Sequence, residues 1–515
     1  MISIYNPDYP GPVYCQPCFW SDKWDPLQYG KEYEPNRLFF DQFKEVRFRT
    51  PKIALAGFRR VNSEYTNQAQ DLKNCYMIVA SDQSEDYLYG NWNAKSKFCC
   101  DCYAVEECEL LYESLNCKSC YKGSYLEHCE SCSDSYFLYD CRGCNNCFGC
   151  VGLRNKSYYW FNQPISKEEY KKRFNEILWT KDNINKFRAE LRNLEQVHPH
   201  KYYQGRQIVS SSGDYMENVK NSRQVFNARH TEDISYSQDA WRVKNGLDLT
   251  EVAFNEMDYE LEGVGYSSHN IGCSKTWNTS QSYYTDNCFS CDYIFGGVSL
   301  HKKKYCILNR QYSNEEYDSL KTQIIEQMHS SKEWGEFLPA SISSFAYNES
   351  LAQDYFPLTK ENALKHGFRW YDRPTRDYKA TKQHNEITGT IDEVADDISK
   401  QIVSCKTQDD TNLKKDYLSC ATAFRITPAE FQFYKKMKLP IPDKCFPCRL
   451  QDRLGLRNPR KLWPRKCMCD YKIYPNTAKH AHHPEGACLN EFETSYSLDR
   501  PEIIYCESCY NSEVV

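Results

Sequence analysis

Between Lys73 and Gln163, large apolar, small and polar residues recur with a period of twelve. Tyr76, Leu88, Cys100, Tyr112, Ser124, Tyr136, Phe148 and Trp160 form one column. Cys108, Cys120, Cys132 and Cys144 form a second, and Cys117, Cys129 and Cys141 a third. Constant spacing of this kind marks stacked coils, in which each turn buries the same position against its neighbour. Units such as Cys132 to Asp140 read as short strands between Asn, Asp and Gly turns. Twelve residues can make one small coil or half of a two-sided one. The bulky Tyr, Phe and Trp of the first column favour the half-coil, with a wide interior to hold them.

A second copy follows at an offset of 147 residues. Phe148-Gly149 matches Phe295-Gly296, Leu153 matches Leu300, and Asn162 matches Asn309. Ser166 with Glu169 and Tyr170 matches Ser313 with Glu316 and Tyr317. Ser followed three residues later by Glu is a capping box and predicts a helix start after each array. Tyr170, Phe174, Ile177 and Leu178, then Ile184, Phe187, Leu191 and Leu194, keep helical spacing. These helices are expected to cap the open ends of the arrays, where unpaired strand groups would invite aggregation.

The expected fold is therefore mainly β: two tandem β-solenoid (β-helix-like) arrays, each capped by a helix, with small zinc-ribbon modules at the termini. The expected divisions are a partial zinc knuckle over 1–36, a linker over 37–70, solenoid I over 71–165 and capping helices over 166–200. Solenoid II spans 213–312, its capping helix 313–332, a mixed linker region 333–419 and a basic zinc ribbon 420–515.

The array cysteines and the terminal cysteines differ in kind. The first array holds Cys-x-x-Cys pairs at 117/120, 129/132, 141/144 and 147/150. In the second copy most of these positions become Val264, Ser267, Thr276, Thr279, Ile294 and Gly297; only Cys141 and Cys144 persist, as Cys288 and Cys291. Thr, Val and Ile are packing substitutes, not zinc ligands, so the array cysteines read as small buried residues.

Outside the arrays the period is lost and ligand spacings take over: Cys445-x-x-Cys448, Cys467-x-Cys469 and Cys506-x-x-Cys509, with single Cys420 and Cys488 and a cluster of His480, His482 and His483. Paired thiolates in two turns close one tetrahedral zinc site. About two structural zinc ions are expected. One partition groups Cys420, Cys445, Cys448 and Cys467, and then Cys469, Cys488, Cys506 and Cys509. Another pairs Cys467/Cys469 with Cys506/Cys509. The N-terminal Val13-Tyr14-Cys15-Gln-Pro-Cys18 parallels Ile504-Tyr505-Cys506-Glu-Ser-Cys509. It adds Cys15 and Cys18 to the candidate ligands; the other half of their site is expected either in a longer gene product, the favoured reading, or elsewhere in this chain.

Ile426-Thr-Pro-Ala-Glu430-Phe-Gln-Phe-Tyr434, running on to Leu439-Pro-Ile-Pro442 and Cys445-Phe-Pro-Cys448-Arg449, resembles the probable zinc-ribbon domain, a Glu-x-x-Phe-Tyr helix followed by Pro and Cys-x-x-Cys-Arg. That domain carries a Cys-x-x-Cys before the helix; here Cys420 stands with Ala423 in the second place. The whole arrangement, including Asn348-Glu-Ser-Leu-Ala-Gln-Asp-Tyr-Phe-Pro-Leu-Thr359, resembles an uncharacterised Cys/Tyr-rich repeat family of candidate-phylum bacteria. That resemblance implies no activity.

Charge changes the picture in one segment. The chain has 515 residues and a formal net charge of −5, yet Phe424 to Lys466 holds twelve Lys/Arg against three Asp/Glu. Arg449, Arg453 and Arg457 recur every four residues and share one helix face. With Arg460, Lys461, Trp463, Arg465 and Lys466 they are candidate contacts to phosphate and base. The competing reading is a stripe that docks on the acidic remainder of the same protein.

Mean hydropathy of −0.77, no long apolar run and a start without basic or apolar signal regions argue against membrane insertion and export. The absence of a Walker motif, a dinucleotide fingerprint or Gly-x-Ser-x-Gly leans the reading away from an enzyme. The expectation is a cytoplasmic zinc protein whose basic ribbon contacts nucleic acid, with a protein-binding scaffold as the alternative and an enzyme acting on a polymer along a solenoid groove as a lesser one.

Overall fold

The backbone bends every third residue. From Gln68 to Asp140 and from Tyr215 to Leu308 each third position has positive φ, filled mostly by residues other than glycine. Asn and Asp tolerate this left-handed conformation best, and they recur here at Asn74, Asp86, Asn116, Asp134, Asp140, Asn227 and Asp239. Their side chains stack from turn to turn: Asn62 donates to Asn74 (3.1 Å), Asn74 to Asp86 (3.0 Å) and Asn227 to Asp239 (2.6 Å). Four such bends close a turn of twelve residues. In this computed structural model, which describes residues 2–374, 378–387, 389–409, 419–474, 476–483 and 485–515, the strands accordingly pair in parallel with a register of twelve. Tyr76 lies beside Leu88, Leu88 beside Cys100, Cys100 beside Tyr112, and so on to Trp160.

The twelve-residue repeat is thus a whole turn, and the half-coil with a wide interior is wrong. The aromatic column does not fill an interior. Tyr112, Tyr136 and Phe148 lie on a flank covered by the helix Lys181–Val197 and by Phe433 and Tyr434. Phe187, for example, meets the rings of Phe137 and Phe148 at 5.6 and 4.9 Å. The narrow interior holds Cys, Leu and Val instead, with Cys117, Cys120, Cys129, Cys132, Cys141 and Cys144 all buried.

The first ladder has eleven strands and starts at Gly57. The expected linker 37–70 therefore contains its first rungs, together with the helix Phe39–Arg49. The second ladder begins at Gly205, with one turn of eleven residues before the register settles at twelve. Lys167–Asn175 packs on Ser157–Trp160, the last parallel strand of the first ladder, and so covers that end. Lys181–Val197 instead runs along the flank, against Ser133–Tyr139 and Asn145–Val151. Of the two boxes expected after the arrays, the full one forms at Ser313, which accepts from Glu316 N and donates its own N–H to Glu316. At Ser166 only the serine half is present.

The ladders lie side by side in opposite senses. Gln68 meets Glu251 (3.2 Å), Glu106 meets Arg229 (2.7 Å), Lys118 meets Glu217 (3.4 Å) and Glu130 meets Arg206 (2.7 Å). Asp286, buried in the second array, is shared by Arg47 (2.7 Å) and Lys52 (2.6 Å) of the N-terminal segment. Of the expected mixed region 333–419, residues 375–377, 388 and 410–418 lie outside the described residues; the remainder is short helical turns and one strand, Val403–Ser404.

Candidate metal centres and the basic segment

Two cysteine pairs sit at helix starts. Cys445 is the N-cap of Phe446–Leu454 and Cys506 the N-cap of Glu507–Val514. Cys-x-x-Cys in that position brings both sulfurs to the helix end whose free N–H groups favour negative charge. Two four-cysteine groups result: Cys405, Cys420, Cys445 and Cys448, and Cys467, Cys488, Cys506 and Cys509. A tetrahedral zinc with Zn–S near 2.3 Å requires sulfurs about 3.8 Å apart. Cys405 and Cys448 stand at 3.9 Å, Cys420 and Cys445 at 3.9 Å, and Cys445 and Cys448 at 3.4 Å. In the second group Cys467 and Cys509 are 3.7 Å apart and Cys488 and Cys506 4.0 Å.

Backbone and amide donors already face these sulfurs as they would face thiolates. Cys445 N points to Cys405 (3.3 Å), Ala421 N to Cys445 (3.4 Å), Cys506 N to Cys467 (3.2 Å) and Asn490 Nδ2 to Cys506 (3.3 Å). Hydrogen bonding from Cys420, Cys445 and Cys448 holds Cys405 well below the ordinary thiol range while Cys448 is pushed well above it, and Cys506 is held down in the same way while Cys509 is pushed up. The spacing of the sulfurs and the N–H groups facing them fit a metal with four sulfur ligands.

Burial opposes ionisation of several array thiols, although hydrogen bonds from Cys132, Cys141 and Cys147 hold Cys144 low. Burial pushes Cys75 up to about 11 and Cys273 up to about 12, so they remain S–H donors. Cys117 donates toward the carbonyls of Leu115 (3.3 Å) and Leu126 (3.4 Å), and Cys129 toward those of Glu127 (3.3 Å) and Leu138 (3.6 Å). In the second array Ser267, Thr276 and Thr279, which stand where the first has Cys120, Cys129 and Cys132, make the same bond to the carbonyl two residues back, at 3.1, 3.0 and 3.1 Å. The hydroxyl-for-thiol exchange between the copies keeps a donor where the turning backbone leaves an interior carbonyl.

The cysteine groupings differ from both expected partitions. Cys467 joins Cys488, Cys506 and Cys509, and the fourth member of the first set is Cys405. Sequence spacing missed Cys405 because it stands alone in the 333–419 region, fifteen residues before Cys420. Its only signal is that it is a cysteine off the twelve-residue period. Cys469 falls with His480, His483 and Cys509. Cys15 caps the short helix Gln16–Phe19, and Cys18 is exposed. Among the described residues neither joins a group of three or more candidate ligands; the knuckle packs on Ile53 and Phe289, with His301 stacked on Trp20.

The basic segment turns inward. Arg449 and Arg453 are only 4% exposed and share the fully buried Asp101, Arg449 Nε and Arg453 Nη2 each standing 2.9 Å from its carboxylate. Arg449 also reaches Glu430 (3.2 Å). Arg457 stacks 4.0 Å from the Tyr215 ring and donates to Tyr103 (3.3 Å) and Asn227. Arg460 binds Asp239 at 2.7 and 3.1 Å and lies 3.5 Å from the Tyr355 ring. These four arginines, expected to contact phosphate, instead meet Asp101, Tyr103, Asn227 and Asp239 of the two arrays, together with Glu430 and Tyr355.

Arg465 donates to the Ser497 carbonyl (3.0 Å) and is half-buried. Lys461 and Lys466 remain exposed, Lys461 5.2 Å from the Trp463 ring and Lys466 paired with Glu491 (3.0 Å). Among the described residues no helix is long and apolar enough to cross a membrane. Compared with known proteins, the chain matches no protein-family model and no curated protein.

Proposed function

We propose that the protein is a zinc-organised interaction scaffold. Its C-terminal module, held by structural zinc on the two cysteine groups, clamps two solenoid arrays side by side and leaves their outer faces to a protein partner. The observation that carries this reading is the wedge of Arg449, Arg453, Arg457 and Arg460. It reaches Asp101 and Tyr103 of one array and Asn227 and Asp239 of the other. Zinc fits all-cysteine tetrahedral groups with no ligand position left open. Twenty-eight cysteines, none of them disulfide-bonded, fit a reducing, cytoplasmic setting. The likeness to the Cys/Tyr-rich repeat family and the zinc ribbon belongs to this proposal.

The outward surface most suited to a partner is the stacked column Trp241, Phe254 and Tyr266, with ring centres 4.9 and 4.5 Å apart and Arg242 5.4 Å from the first two rings. Trp241 and Tyr266 are 41% and 47% exposed, and such aromatics are enriched in interface cores. Affinity capture with the full chain tests the proposal. A protein retained by the wild type and lost by the Trp241→Ala, Tyr266→Ala double variant is the expected result; equal retention by both overturns the use of this face.

A second reading rests on the exposed Lys461 and Lys466 beside Trp463, which keep a small cationic and aromatic surface for nucleic acid. Titration with labelled single- and double-stranded RNA and DNA at two salt concentrations separates the readings. Tight, salt-steep binding lost on Lys461→Ala plus Lys466→Ala supports nucleic acid, and its absence supports the scaffold.

A further inference from the structure

Eight candidate donors, more than one tetrahedral ion can use, crowd the C-terminal centre. Cys467, Cys488, Cys506 and Cys509 make one tetrad, and Cys469, His480, His483 and Cys509 make another. Cys509 is the only member common to both. We propose that this centre holds two metal ions bridged by the Cys509 thiolate, so that the chain binds three zinc ions in all, one of them at the Cys405 group. The proposal rests on the zinc reading above and adds an ion that neither the spacing nor the two all-cysteine groups require.

The second tetrad has the dimensions of a tetrahedral zinc site. With Zn–S about 2.3 Å and Zn–N about 2.0–2.1 Å, neighbouring donors lie about 3.5 Å apart for S and N and about 3.3 Å for two nitrogens. Cys469 Sγ stands 3.4 Å from His480 Nδ1, His480 Nδ1 3.2 Å from His483 Nε2, and His483 Nε2 3.1 Å from Cys509 Sγ.

A separate observation points to a ligand role for His480. The residue is 1% exposed, and its Nε2 stands 2.9 Å from the Glu513 carboxylate. That carboxylate is itself fixed by Thr477 N (2.8 Å), Thr477 Oγ1 (2.8 Å) and Ala478 N (3.0 Å). A carboxylate taking the Nε2 proton fixes the tautomer and leaves the Nδ1 lone pair aimed at the tetrad, the usual outer partner of a metal-bound histidine. Asn476 Nδ2, 3.2 Å from Cys469 Sγ, supplies the N–H that a ligating thiolate takes up.

Charge argues the same way. Four thiolates on one dication leave a charge of −2 in a buried site. The second dication arrives with one further thiolate and two neutral imidazoles, reducing the net charge to −1. A competing set of His482, His483, Cys488 and Cys509 would use the exposed His482 and take Cys488 from the first tetrad, leaving the buried Cys469 and His480 unused.

Native mass spectrometry and elemental analysis of the full chain, reduced and loaded with Zn²⁺, test the proposal. Three ions per chain are expected, falling to two in Cys469→Ser and in His480→Gln and staying at three in His482→Ala. The wild type loaded with ¹¹³Cd²⁺ gives a test that no folding defect of a variant can obscure: three resonances, two of them split by coupling through the shared sulfur. Two ions in the wild type, or three uncoupled resonances, overturn the bridged pair while sparing the structural zinc reading. A loss of one ion in His482→Ala overturns the ligand assignment, and a metal-free chain overturns both proposals.

Discussion

Replacing Asp101 with alanine separates an internal clamp from an exposed basic surface. Asp101 is fully buried and accepts Arg453 Nη2 at 2.9 Å while Arg449 Nε stands at 2.9 Å. Its removal strands two buried guanidinium groups, and only Arg449 retains a carboxylate, Glu430 at 3.2 Å. Breaking a buried ion pair from one side costs about 3–5 kcal/mol. The exposed pair Lys466–Glu491, 80% and 67% exposed at 3.0 Å, sets the contrast, since solvated pairs contribute little.

Amide hydrogen exchange across Pro428–Met437 and Phe446–Leu454 reads the local opening. At about 1.4 kcal/mol per tenfold, Asp101→Ala should speed exchange there by roughly two to three and a half decades, and Lys466→Ala should leave it unchanged. An Asp101→Ala effect below about fivefold, or one equal to that of Lys466→Ala, would refute the claim that these arginines are spent on the arrays.

Other consequences follow from the same geometry. Burial first, then Asp239 and Glu262, push Glu251 up to about 8. The folded state therefore holds a proton that the unfolded chain releases near its ordinary value of 4.5, so this group's contribution to stability falls as pH rises from about 4.5 through 8. Glu251→Gln should raise Tm over the wild type more at pH 8.5 than at pH 5; an equal gain at both would contradict the shift. Cys15→Ser with Cys18→Ser should leave metal content unchanged, and Cys405→Ser should lower it by one ion, as read by elemental analysis. Cys129→Thr, the exchange already made at Thr276, keeps a donor for the Glu127 and Leu138 carbonyls. It should cost less than about 1.5 kcal/mol in denaturant unfolding, without loss of metal.

The repeat was legible because a register of twelve places like residues on neighbouring rungs, and the offset of 147 exposed which cysteines could be exchanged for Thr or Val. What faced inward was not legible. A bend at every third residue, made by ordinary residues such as Tyr89, Tyr125 and Phe137 at positive φ, has no sequence signature, so the Tyr and Phe column was placed inside when it lies under a helix. The terminal ligand pairs stood out by their short spacings, but Cys405 has no close companion. The four-residue recurrence holds for Arg449 and Arg453, which share Asp101, but the helix ends at Leu454 and leaves Arg457 beyond it. The recurrence carried no information about what that face meets, because Asp101 and Asp239 lie hundreds of residues away as single acids in a repeat.

Hydrogen exchange of the full chain before and after metal removal, under reducing conditions, tests the zinc-held clamp most directly. The account predicts that protection is lost together across Phe446–Leu454, Ile503–Tyr505 and Glu507–Val514 and at the positions they meet, Asp101 for the first and Pro199–Lys201 and Asp140 for the others, while the interior rungs from Cys117 to Cys132 stay protected. Unchanged protection in the C-terminal module once the metal is gone would contradict it.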